Sequence, residues 1–124
     1  MMVYISGPIT GIKNSNAFEF YKMEKELERA FYNLDYLKIV NPLRLGKRVE
    51  MFFDEQSKIL KTKRVPKWED YMRVCVAELA SCTHVIVLKN YKKSKGVRVE
   101  LFIAKMLGIP VFFSLGEMQK EFAI

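Results

Sequence analysis

With 124 residues, half of them apolar, the chain has enough material for one domain with a real core, which excludes an extended disordered chain. Two cysteines and one histidine exclude a disulfide framework and leave a structural zinc site without enough ligands. The formal net charge of +7 is uneven: residues 44–67 carry eight basic and three acidic side chains, and residues 89–98 carry five basic and no acidic ones. Such patches attract phosphorylated small molecules, nucleic acid or an acidic partner, or are simply solvated. Lysine dominates without interleaved aromatics to stack on bases, so nucleic acid is not the expected partner.

No stretch approaches the roughly 18 apolar residues of a membrane span, and no signal-like run opens the chain. The sequence therefore predicts a cytoplasmic protein with no membrane partner. Cys75 and Cys82 sit about two helical turns apart, too far for a disulfide while the helix persists, and read as buried thiols.

Val3-Tyr4-Ile5 is a short apolar run that feeds the glycine-bearing loop Ser6-Gly7-Pro8-Ile9-Thr10-Gly11. A buried strand, a glycine loop and a helix form either a phosphate-binding turn or a plain turn. Phe20, Met23, Leu27, Ala30, Phe31 and Leu34 recur at helical spacing, which predicts a helix over 16–34 capped by Asn14 or Ser15. Residues 36–40 read as a second strand stopped by Asn41-Pro42, with a loop over 41–45. Residues 47–60 read as a basic amphipathic helix, able to pack on its own domain, cover a pocket or meet a second subunit.

Trp68–Ala80 is predicted as a helix, and the apolar run 84–88 as a strand buried on both faces. A basic loop over 89–96, a helix over 97–107, a strand over 110–113 and a short helix over 117–122 with Ser114 before it complete the pattern. Alternating strands and helices argue for a parallel sheet covered on both sides. Ligands in such sheets sit beyond the carboxyl ends of the strands. That gathers the loops 6–11, 41–45 and 89–96 with Ser114 on one rim.

On that rim Glu100 falls in the first turn or so of its helix, where a carboxylate serves as nucleophile or base at a sugar carbon, or merely complements the helix dipole. Ser94 and the N–H groups near Lys95 and Gly96 suit a phosphate, with Lys92, Lys93, Lys95 and Arg98 to neutralise it. Tyr4, near the end of its strand, either reaches the site or stays in the core. His84 begins a buried strand away from the rim and reads as structural.

Tyr4-Ile5-Ser6-Gly7-Pro8-Ile9-Thr10-Gly11, Asn41-Pro42, Trp68-Glu69-Asp70-Tyr71-Met72-Arg73 and Ser94-x-Gly96-x-x-x-Glu100 together resemble the nucleoside 2-deoxyribosyltransferase-like superfamily, in its small phage and bacterial branch. The likeness runs from Val3 to Val111. It implies a single domain over 1–124 with a basic helical insertion at 47–65. The implied fold is a small Rossmann-like or flavodoxin-like three-layer α/β domain with a parallel sheet of four to five strands. It implies cleavage or transfer of the N-glycosidic bond of a 2′-deoxynucleoside or its 5′-monophosphate.

By that resemblance Glu100 is the nucleophile and Tyr4 its neighbour. Ser6, Gly7, Pro8, Gly11, Asn41, Ser94 and Gly96 fall at sugar- or phosphate-binding positions. No metal or organic cofactor is implied, and the partner is a second copy in a homodimer or larger homo-oligomer. Two departures stand out: Cys75 and Thr83 occupy positions where aspartate is usual, and a thiol cannot accept hydrogen bonds as a carboxylate does. The same chain is therefore also readable as a nucleotide-binding module with impaired catalysis, or as a basic interaction protein.

Overall fold

The computed structural model describes residues 1–122. The elements are β1 (Met2–Ser6), α1 (Ala17–Ala30), β2 (Lys38–Val40), α2 (Pro42–Leu60), α3 (Trp68–Ala80), β3 (His84–Val87), α4 (Lys95–Met106), β4 (Val111–Phe112) and α5 (Leu115–Glu121). The strands form one parallel sheet in the order β2-β1-β3-β4. It is a small Rossmann-like three-layer α/β domain.

Strand alternation explains the layers, since successive side chains point to opposite faces. Val3, Ile5, Ile86 and Phe112 face Phe20 and Leu27 of α1 and Met118 of α5. Tyr4, Val85 and Val87 face Leu45 of α2, Cys75 and Leu79 of α3, and Val97 and Ala104 of α4. Phe20, Leu27 and Leu79 are fully buried, and truncating any of them to alanine costs roughly 2–5 kcal/mol.

The chain leaves β1 toward β2 on one side and continues from β3 toward β4 on the other. The resulting switch point lies between β1 and β3, where Tyr4 pairs with Val85 and Ser6 with Val87. Among the described residues no helix is long and apolar enough to cross a membrane.

Several boundaries differ from those the sequence predicts. α1 starts at Ala17 and ends at Ala30, and neither Asn14 nor Ser15 caps it. Asn14, Ser15 and Asn16 all adopt left-handed backbone with φ of 53°, 54° and 61°, so a tight 3-10 turn over Lys13–Asn16 enters the helix instead. β2 starts only at Lys38, because Tyr36 has φ of 64° and breaks extended backbone.

Residues 41–45 are not a loop. Asn41 Oδ1 accepts from Leu43 N at 3.0 Å with Pro42 in the first turn, so α2 begins at once and the expected start at 47 is corrected. Ser94 likewise caps α4, which starts at Lys95, two residues before the expected 97, and Ser114 caps α5 at Leu115 rather than 117. The strands predicted over 84–88 and 110–113 are trimmed to 84–87 and 111–112.

Candidate functional site

A cleft of about 1040 Å³ opens beyond the carboxyl ends of β1, β2 and β3. Its floor is Glu100, which lies in the second turn of α4 rather than the first and points inward, 5 % exposed. Two strand residues hold it from below. Tyr4 donates its hydroxyl to Glu100 Oε2, and Ser6 Oγ donates to Oε1 at 2.8 Å. Because Tyr4 and Ser6 are two apart on β1, both project toward α4, and both are completely buried.

Burial raises Glu100 to about 7, while the hydrogen bonds from Tyr4 and Ser6 pull it back toward the ionised form. Tyr4 is raised well above the ordinary phenol value, chiefly by burial and then by the Glu100 charge, so it remains a donor. Cys75 on α3 also lines the cleft and is raised to about 11, again mainly by burial. Near neutral pH the site therefore holds a titrating carboxylate, a protonated phenol and a protonated thiol.

The wall beside Glu100 is the start of α4. Ser94 Oγ accepts from Val97 N at 3.2 Å, and Lys93, Lys95 and Gly96 line the cleft around it. The free N–H groups of the first turn and two lysines make this end electropositive. Lys95 Nζ lies 4.3 Å from the Trp68 ring centroid, tying the start of α4 to the start of α3 across the opening.

The far wall is built by α2 and the first turns of α3. Gly46, Lys47 and Glu50 of α2 and Trp68, Glu69 and Tyr71 of α3 face the cleft. Tyr71 donates to Glu50 Oε1 at 3.3 Å. The third wall is the β1–α1 connection with Gly7, Thr10, Gly11 and Asn14, backed by Tyr21. Arg44 stacks 5.0 Å from the Tyr21 ring and pairs with Glu24, fastening α2 to α1 behind it.

Of the residues singled out from sequence, Glu100, Gly7, Gly11, Ser94 and Gly96 line the cleft, with Tyr4 and Ser6 bonded to Glu100 beneath it. Pro8 and Asn41 are buried away from its surface; Asn41 caps α2 and leaves its Nδ2 without a partner. Lys92 and Arg98 are exposed and do not line it. His84 stacks on Phe112 at 6.1 Å, at the amino end of β3. Thr83 bridges Met2 backbone, accepting from its N and donating to its O at 2.9 Å each, so it serves the sheet edge.

Glu50, Trp68, Tyr71 and Tyr21 also line the cleft, as does Lys47 of the basic helix, though none stands out as a site residue in the sequence. Trp68 and Tyr71 stand in a motif quoted above, but only the packing of α2 against α3 brings Glu50 opposite them. Among the described residues, no three His, Cys, Asp or Glu side chains gather to hold a metal ion.

Residues 1–113 match the family described as a domain of unknown function, DUF4406, and the chain belongs to that family. No curated protein and no solved structure matches the chain.

Proposed function

We propose that this DUF4406 protein acts on the N-glycosidic bond of a 2′-deoxynucleoside or deoxynucleoside 5′-monophosphate, with Glu100 as nucleophile. The observation that carries the reading is Glu100 itself. A buried carboxylate, raised to about 7 and oriented by Tyr4 and Ser6, forms the floor of a cleft whose adjoining wall is electropositive. The resemblance to nucleoside 2-deoxyribosyltransferases supports the same assignment.

In this reading the phosphate or 5′-hydroxyl lies at Ser94–Gly96 and the sugar lies over Glu100. The ionised carboxylate forms a bond to the anomeric carbon as the bond to the base nitrogen breaks, and the departing base takes a proton from water in the open cleft. Water or a second base then attacks the glycosyl ester and restores Glu100. Tyr4 and Ser6 keep the carboxylate in its attacking orientation by occupying both oxygens.

A second reading is favoured by Cys75. Its thiol, held protonated up to about 11, supplies no negative charge and is a weak donor. A domain that keeps the pocket without a second carboxylate binds a nucleotide and turns it over slowly or not at all.

Incubating the protein with each deoxynucleoside monophosphate, with and without a free acceptor base, and following free base by chromatography tests both. Base release or exchange that vanishes in Glu100→Gln establishes the glycosyl chemistry. Saturable calorimetric binding with no turnover selects the binding module, and neither binding nor turnover removes both.

A further inference from the structure

α3 packs between α2 and α4, so the cleft has two chemically different ends. The α4 end offers N–H groups and Lys93 and Lys95, while the α2 end offers Glu50, Lys47 and Tyr71. Glu50 is exposed on α2, yet its Oε1 is already engaged by the Tyr71 hydroxyl. Its other oxygen accepts only, and Glu50 lines the same cleft as the aromatic side chains of Trp68 and Tyr71. Lys47, one turn earlier on the same helix and lining the same cleft, donates only.

From this arrangement we infer that Glu50, fixed by Tyr71, reads the exocyclic amino group of the base, so that the cleft selects cytosine or adenine nucleotides over thymine or uracil ones. The inference rests on the nucleotide reading above and adds its base specificity. Cytosine and adenine each present an amino donor beside a ring-nitrogen acceptor, which matches one free carboxylate oxygen with a lysine nearby. Thymine and uracil put a carbonyl oxygen where the amino group would be, and that oxygen meets the carboxylate as acceptor against acceptor. Guanine would donate two hydrogens to both carboxylate oxygens at once, and Tyr71 already holds one of them.

A site that hydrogen-bonds a specific group discriminates strongly against an analogue lacking it, because its buried partner is left unpaired. Glu50 is exposed, so a preference of about tenfold is expected rather than the largest values.

The test is calorimetric titration of the whole protein with dCMP, dAMP, dTMP and dUMP, repeated on Glu50→Gln and Tyr71→Phe. Circular dichroism checks that each variant is folded. Tighter binding of dCMP or dAMP than of dTMP and dUMP by about tenfold, narrowing to threefold or less in Glu50→Gln, supports the inference. The amide can donate to a carbonyl as well as accept from an amine, so Glu50→Gln should gain affinity for dTMP. Tyr71→Phe should narrow the preference partway. Equal affinity for all four, or a preference unchanged in Glu50→Gln, overturns the inference and leaves the nucleotide pocket standing. Failure of all four to bind overturns the pocket reading as well.

Discussion

Tyr4 on β1 and Glu100 on α4, 96 residues apart, meet through a buried hydrogen bond that joins the first strand to the helix after β3. Burial of Glu100, only partly offset by the hydrogen bonds from Tyr4 and Ser6, ties its protonation to stability. Between the ordinary value of 4.5 and about 7, the folded chain keeps the Glu100 proton that the unfolded chain releases. This group's stabilising contribution is thus complete below about pH 4.5 and lost as pH rises through 7, by roughly 3 kcal/mol in all. Glu100→Gln has no proton to lose. Its melting temperature should therefore fall less than that of the wild type between pH 5 and 8. Parallel curves for the two proteins would place the pH dependence elsewhere.

Tyr4→Phe removes the larger of the two hydrogen bonds that hold Glu100 down, so the carboxylate should titrate at still higher pH. The ascending limb of a pH profile for base release, or for ligand binding, should move upward in this variant. Loss of one buried partner should also cost about 1–3 kcal/mol in urea unfolding. An unshifted profile with that stability loss would mean Tyr4 only packs.

Two glycines in the site should fail in opposite ways. A Cβ on Gly7 would lie 2.5 Å from Leu88 Cδ1 and 2.9 Å from its Cγ, and Leu88 is a buried core side chain that would have to shift. Gly7→Ala should lose about 1–3 kcal/mol by overpacking. A Cβ on Gly96 would meet Met72 Sδ at 3.5 Å and Ser94 Oγ at 3.8 Å, both ordinary contacts, while narrowing the cleft mouth. Gly96→Ala should unfold like the wild type yet bind a deoxynucleoside monophosphate more weakly. Chemical denaturation and calorimetry on both variants separate the two effects.

What could be read in advance follows the physics of each segment. β1, β3 and α3 stand out because burial imposes period two or an apolar run on strands and an apolar stripe on helices. The fused start of α2 carried its own signal, an asparagine cap with proline in the first turn. That pair also reads as a strand stop, so the local signal is ambiguous between the two. The left-handed run Asn14–Ser15–Asn16 had none, since nothing local distinguishes it from a cap. Ser6 is legible because it ends a predicted strand, and Ser94 and Glu100 because they fall at the start of a helix on the rim. Glu50 and Tyr71 are not, because their meeting depends on how α2 packs on α3.

Cys75 gives the sharpest test of whether the cleft is an impaired enzyme. It lines the cleft, and the Glu100 charge contributes to its raised value, so the two side chains share one electrostatic environment. In Cys75→Asp two carboxylates would occupy that environment, and like charges so placed do not both ionise. One keeps its proton while the other is ionised, which is the division of labour that glycosyl transfer uses: an acid for the departing base and a nucleophile for the sugar. Cys75→Asp should therefore raise base release by about tenfold or more over the wild type, the scale of a positioned acid. It should also be less stable, because a thiol only 7 % exposed has been replaced by a polar group. Cys75→Asn, similar in shape but unable to ionise, should lose stability without gaining rate. If Cys75→Asp folds, binds nucleotide and releases no base, the missing acid is not what limits this domain, and nucleotide binding is its function.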